Sequence, residues 1–474
     1  MRLIVTTSLV ALAAIASSLA AQDQEAIDQQ LAAMRADLAE LRAQGDGHAP
    51  WLTRQRAEEV RALVRDVLAD AESRVSLQEV GLTGGWKDSF YIGSDDGNWK
   101  LKIGGYTQVR YSYDHRSSNP ANPGESVDTW GAAIRRLKLY FDGHIIDPSW
   151  RYKIEFASNQ GAAFALEDTW IEKQMADGLV LKTGQFKSPF LRETLLSDTV
   201  TMLVDRSSIE SFFGAGRSAG LQLSWETEQL RVTGGYFNGF EVKSNYFNSG
   251  SMRNLAWDST KIAEYAFVSR LEWKPSGGWA QFKDPSSWVK DGPGLLVGVA
   301  AEVEKKENTQ GCAAGAENPF VVAATADVSI EFAGGSLMSY FVWRQVEPTA
   351  AGLEVANQFG VVVQGGVFIS DTLELTARYE YGDADTMPNG GAPNPNPAVM
   401  NNNGYSIFNA VGLGANWYIS GQRLKLSADI NYAFNGVGAF ASSVNDFLVD
   451  GTSATGQFDQ SGQVLARVQL QLIW

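Results

Sequence analysis

The chain has 474 residues, 11% of them aromatic, a formal net charge of -15 and a mean hydropathy of -0.17. That charge argues against nucleic acid as a partner, because binding a phosphate backbone needs a basic face. After the first 21 residues no apolar run of about 18 occurs, which excludes a bundle of membrane-spanning helices and leaves one lipid-compatible architecture, a closed barrel of alternating strands.

Residues 1–21 read as a secretory signal: Arg2, an apolar stretch from Leu3 to Ile15, and small Ser18 and Ala20 before a cleavage point. In residues 22–46, Ile27, Leu31, Met34, Leu38 and Leu41 recur at alternating spacings of four and three, the seam of a heptad repeat. A stripe so narrow predicts an α-helical coiled-coil arm that pairs with copies of itself; the alternative is one helix lying on the protein's own surface. Residues 47–85 contain a second helix opened by Thr53 and closed near Gly81, followed by a linker.

From Trp86 the apolar period changes to two, and residues 86–474 are expected to form the barrel. Lys100, Lys102, Gln108, Arg110 and Ser112 alternate with Leu101, Ile103, Val109, Tyr111 and Tyr113. The same pattern follows in Arg136, Lys138, Tyr140 and Asp142 against Leu137, Leu139 and Phe141, and in Arg151, Lys153 and Glu155 against Trp150, Tyr152, Ile154 and Phe156. Counted to the end of the chain, such stretches number about sixteen, giving an all-β class: a transmembrane antiparallel barrel behind a helical arm. Links alternate between tight ones, such as Ser420 to Gln422, and long polar ones, such as Lys187 to Gly216 and Gly382 to Gly404. At the C-terminus Val464, Ala466, Val468, Leu470, Leu472 and Trp474 share one face. Leu470, Leu472 and the terminal aromatic resemble the signal that barrel-assembly machinery reads, with Trp in place of the usual Phe.

Nothing in the sequence suggests catalysis or a cofactor. Gly216 to Gly220 matches a G-x-S-x-G nucleophile elbow, but a strand follows it where a helix is needed, and no histidine lies beyond His144. His48, His115 and His144 have no metal-ligand spacing. Cys312 is the one cysteine, so no intramolecular disulfide forms, and none follows the signal to carry a lipid anchor.

Three stretches carry a family resemblance: Ile134-Arg135-Arg136-Leu137-Lys138-Leu139-Tyr140-Phe141, Trp150-Arg151-Tyr152-Lys153-Ile154-Glu155-Phe156, and Gly184-Gln185-Phe186-Lys187-Ser188-Pro189-Phe190, with Glu193, Asp205 and Arg206 further on. From about Trp86 onward the chain resembles the phosphate- and polyphosphate-selective porins of outer membranes, the O and P type. That resemblance implies a sixteen-stranded barrel, a homotrimer, and a third loop that folds inward to constrict a passive pore.

The link from Lys187 to Gly216 is the candidate for that loop. It carries Arg192 and Arg206 among Leu195, Leu196, Met202, Ile209, Phe212 and Phe213, apolar residues that want burial; the alternative is a loop folded over the barrel mouth. Lys187, Arg192 and Arg206 are expected at the constriction, and Arg110, Arg136, Lys138, Arg151, Lys153 and Lys182 along the pore, beside Lys100, Lys102, Lys425 and Arg467. The acids Asp142, Glu155, Glu167 and Asp429 share that wall, so the residues alone fit a general diffusion pore as well as an anion channel; with the resemblance, anions are expected. Expected partners are outer-membrane lipid, barrel-assembly machinery, further copies of the chain and small anionic solutes such as phosphate or polyphosphate. Peptidoglycan joins them if the arm tethers the envelope. The remaining alternatives are a structural protein whose arm tethers the outer membrane to the cell wall, with the barrel as its anchor, and a soluble secreted β-sandwich.

Overall fold

The computed structural model describes residues 81–87, 89–117, 125–159, 163–239, 263–306, 320–347, 355–385, 407–435 and 462–474, with Ala36, Val437, Phe440 and Phe447 singly. The signal, the heptad positions Ile27, Leu31, Met34, Leu38 and Leu41, the second helix and Cys312 lie outside the described residues. The chain divides into two units, Met1–Val80 and Gly81–Trp474, and the strands belong to the second.

They are β1 (Leu82–Lys87), β2 (Ser89–Ser94), β3 (Lys100–Arg116), β4 (Val127–Ile145), β5 (Asp147–Asn159), β6 (Ala165–Ala176), β7 (Leu179–Lys187), β8 (Arg217–Glu226) and β9 (Leu230–Phe237). They continue as β10 (Ala263–Ser276), β11 (Gly294–Lys306), β12 (Phe320–Phe332), β13 (Gly335–Glu347), β14 (Ala356–Ser370), β15 (Leu373–Asp383), β16 (Ile407–Gln422), β17 (Leu424–Ala433) and β18 (Gln463–Ile473). From β3 each strand pairs antiparallel with the next, and β18 pairs back onto β3 through Val468↔Tyr111 and Leu470↔Val109, closing a barrel of sixteen strands. Closure removes both edges, so every wall strand has two hydrogen-bonded neighbours. Trp86 stands ahead of the barrel in the β1–β2 hairpin, which joins β3 through Phe90↔Ile103.

The outer face is apolar and exposed. Leu223, Leu271, Val299, Leu413, Ile430 and Val468 form its middle band. Trp225, Trp273 and Trp417 ring the end where the connections are tight; Tyr113, Trp130, Tyr236, Phe267 and Tyr432 ring the other. Two aromatic girdles around an aliphatic belt are what the two interfaces of a bilayer select. The soluble sandwich is excluded, because that much apolar surface has no place in water.

Charged and amide side chains point inward instead: Arg110, Arg136, Lys138, Arg270, Arg378, Lys425 and Arg467 are all buried. What buries them is the link after β7, residues 188–216. It enters the lumen and carries two short helices, α1 (Arg192–Leu195) and α2 (Ser208–Phe213), the second capped by the Ser207 side chain, which accepts from the Glu210 N–H. Of the two placements that the sequence leaves open, inward folding is the one adopted. The wall is cut back to receive the loop: a Cβ on Gly360 would lie 2.6 Å from Ile209, and one on Gly412 would lie 2.6 Å from Leu203. Phe190, Leu191, Ile209 and Phe213 pack there on Val342, Val362 and Phe408.

One connection departs from the expected pattern. At the end with the tight turns, β10 and β11 are joined by residues 277–293, a long segment that also turns into the barrel. Trp288 packs on Phe368 and Tyr418, and the Ser286 hydroxyl contacts Glu374 at 3.1 Å. Alternation in the sequence places strands near Val268 and Val297 but does not mark this insert. Pro275, Gly277, Gly278, Pro285 and Pro293 are its available signal.

Candidate pore constriction

Inside the barrel, residues 188–216 are tied to wall strands on opposite sides of the lumen. The Gln108 side-chain amide donates to the Asp198 carbonyl at 3.0 Å, Asn416 to the Met202 carbonyl at 2.7 Å, and Lys425 to the Thr199 carbonyl at 3.0 Å. In the other direction, the Ser208 N–H donates to Glu380 at 2.6 Å and the Val204 N–H to Asp429 at 3.0 Å. Tyr340 donates to the Glu193 carboxylate at 2.7 Å. A loop without regular pairing of its own meets its backbone hydrogen bonds from the barrel wall.

Two carboxylates organise the charges. Asp205, fully buried, holds Arg110 at 2.8 Å, Arg135 at 3.2 Å and Arg136 at 2.8 Å. Those guanidiniums hold its carboxyl well below the usual range. Asp198 takes Lys138 at 2.8 Å, Arg136 at 3.7 Å and the Arg206 guanidinium, and burial opposing these cations still leaves its carboxyl well below the ordinary value. Lys138 also meets Glu167 at 2.5 Å, and Arg217 meets Glu167 at 3.0 Å and Asp168 at 2.6 Å. Lys153 joins Glu155 at 2.7 Å, Arg467 joins Asp429 at 2.6 Å, and the exposed Arg151 joins Glu172 at 2.5 Å. Most of the basic residues expected to face the pore are therefore satisfied by carboxylates of the same wall and loop.

Three are not. Lys182, Lys187 and Arg192 line a cavity of about 450 Å³ between residues 188–216 and the insert 277–293. Lys187 donates to the Leu196 carbonyl at 2.8 Å and Arg192 to the Phe282 carbonyl, while the Arg192 Nε has no partner among the described residues. Lys182 holds its ammonium 4.1 Å from the Trp170 ring centroid and 4.8 Å from that of Phe186, and among the described residues it makes no direct ion pair, Glu172 opposite it being paired with Arg151. Burial pushes the Arg192 guanidinium below its ordinary value. Two acids lie on the cavity, both already engaged: Glu272 with Arg270 at 3.2 Å and Arg231 at 3.1 Å, and Asp168 with Arg217 and Lys153. The cavity is therefore positive. Sequence reasoning selects all three cations but cannot separate them from the paired ones, and it misses Glu272, Arg231 and Arg270, whose roles depend on strand register.

Leu470 and Leu472 lie exposed on the outer face, and Trp474 exchanges two backbone hydrogen bonds of 3.0 Å with Gly105. Among the described residues no group of His, Cys, Asp and Glu could hold a metal ion.

A known structure shares this architecture. An anion-selective porin from Comamonas acidovorans superposes with a TM-score of 0.50 at 10% identity, over 79% of this chain and 99% of that one. OmpT of Vibrio cholerae, an outer-membrane protein, gives 0.47 at 12% identity over 80% and 98%. At 10% identity the likeness to the Comamonas porin is one of fold alone. No curated protein sequence matches the chain. The profile of the family described as phosphate-selective porin O and P matches residues 105–435, well over half of the chain and nearly all of its barrel. The chain belongs to that family, a group of non-enzymatic channels of the bacterial outer membrane.

Proposed function

We propose that the chain is a passive, anion-preferring channel in which residues 188–216 form the constriction and Lys182, Lys187 and Arg192 set the preference. The observation that carries this reading is that, among the described residues, these three cations make no direct ion pair, beside two acids that are already paired. Selectivity depends on the few charges at the narrowest place, so a net charge of -15 spread over loops and wall does not oppose it. Small inorganic anions, phosphate among them as the family's description suggests, would cross down their gradient.

Three barrels associate, and the heptad positions Ile27 to Leu41 hold a periplasmic arm together once residues 1–21 are removed. Deleting residues 22–85 should then spare unit conductance and weaken the oligomer.

The deciding experiment is a planar-bilayer reversal potential in a KCl gradient, with and without phosphate. The expected result is an anion-selective potential that falls toward zero in the Lys182→Gln, Arg192→Gln double variant. A cation-selective wild type, or a double variant indistinguishable from it, would reject the reading in favour of a general diffusion pore.

A further inference from the structure

The cavity that carries the three unpaired cations is not built like a site for inorganic phosphate. A tetrahedral oxyanion without its water needs donors on every side. Here donors occupy part of the wall, and Phe186, Trp279, Phe282, Leu195, Leu196 and Leu296 form much of the rest. One of these cations, Lys182, rests on the rings of Trp170 and Phe186 where a carboxylate would otherwise hold it, while Arg231, paired with Glu226 and Glu272, lays its guanidinium carbon 4.0 Å from the Trp279 centroid. Ring faces hold a cation in place without cancelling its charge. The site thus combines uncompensated positive charge with apolar surface, in a volume of about 450 Å³ that falls in the range of small-molecule pockets.

The floor of the cavity is a feature of this chain's own topology. Trp279, Phe282 and Lys283 belong to the insert 277–293, which enters from the end with the tight turns. It is fixed on several sides. The Trp279 indole N–H donates to the Thr227 carbonyl at 2.8 Å, Gln422 donates to Asp284 at 2.9 Å, and Arg192 of α1 reaches the Phe282 carbonyl. The insert therefore supplies ring surface below the cations that residues 188–216 and β7 supply above.

We infer that this cavity is a binding subsite for amphipathic organic anions, an aromatic or short-chain carboxylate, with its charged group at Lys182, Lys187 and Arg192 and its apolar body against Trp279 and Phe282. The inference rests on the anion-channel reading and specifies the class of solute favoured there. Neutral aromatics lack the charge for the cations, and inorganic phosphate leaves the rings in contact with water.

The test is block of KCl current through the full-length protein in planar bilayers at neutral pH, by sodium benzoate, sodium phosphate and benzyl alcohol. Benzoate is expected to reach half-block at about one tenth of the phosphate concentration, with benzyl alcohol inert. Trp279→Ala, in a connection rather than a strand, should raise the benzoate half-block concentration about fivefold and move the phosphate value by much less. Phe282→Leu keeps most of the volume while removing the ring, and should shift benzoate in the same direction. An anion-selective wild type blocked by phosphate at or below the benzoate concentration would overturn the inference and leave the channel reading standing; a wild type without anion selectivity would overturn both.

Discussion

Two regions of the same lumen handle positive charge in opposite ways. Around Asp205 and Asp198, five cations from the wall and the loop, Arg110, Arg135, Arg136, Lys138 and Arg206, converge on two carboxylates of residues 188–216. Around the cavity, Lys182, Lys187 and Arg192 are left to carbonyls and rings. A basic side chain on a pore wall can thus serve two ends. Where the loop supplies a carboxylate, the cation fastens the loop. At the cavity, where Lys182, Lys187 and Arg192 meet aromatic faces and carbonyl oxygens, the charge remains available to a passing ion.

The largest effect should come from removing the centre of the fastened region. Asp205→Asn leaves three buried guanidiniums without their shared counter-charge. Breaking a buried pair from one side costs about 3–5 kcal/mol. Limited proteolysis of the refolded barrel should then clip residues 188–216, and single-channel conductance should rise as the loop leaves the lumen. Lys182→Met is the matching control, since it removes a cation with no carboxylate, and it should leave proteolysis unchanged. If both variants behave alike, the division between the two regions is wrong.

A smaller effect separates fastening from selectivity at one residue. By sequence Arg206 is a constriction arginine, yet in the structure it spans Asp198 and the Leu196 carbonyl, the latter at 2.8 Å. Arg206→Gln removes charge-assisted hydrogen bonds worth about 1.5–3 kcal/mol, while Lys138 and Arg136 still hold Asp198. Urea unfolding in detergent should move to lower concentration, and the reversal potential in a KCl gradient should stay at the wild-type value. A lost anion preference would return Arg206 to the selectivity role.

These assignments mark where the sequence stops being informative. Alternation of period two locates the wall, because lipid and water demand opposite residues on successive positions, and Val109, Tyr111 and Tyr113 against Gln108 and Arg110 show it in one strand. The apolar content of residues 188–216 marks the link as one that must be covered. Charge pairing is out of reach, because Asp205 meets Arg110 and Arg136 only through the register that sets Gln108 opposite Arg136. The insert 277–293 is hidden for a related reason: strands of this barrel run long, so the interval between Val268 and Val297 can be filled by strand and a turn.

The smallest predicted effect is a near-absence of one, and it tests the fastened region without a substitution. Asp205 and Asp198 have carboxyls held well below the ordinary 3.8, so their contribution is complete above that value and is lost only as pH falls through the lowered folded values. Glu210 in α2 has the opposite sign. Burial raises it above the ordinary 4.5, so its contribution is greatest at low pH and fades as pH rises through the raised value. At about pH 4, Glu210 is therefore protonated while both aspartates stay charged, so acidification to that point should leave the loop as firmly seated or slightly more so. Protease sensitivity of residues 188–216 and unit conductance should stay flat over that interval. Clipping that begins near the ordinary aspartate value would mean that three guanidiniums do not hold Asp205 in solution, and the distinction between fastening and free cations would lose its physical basis.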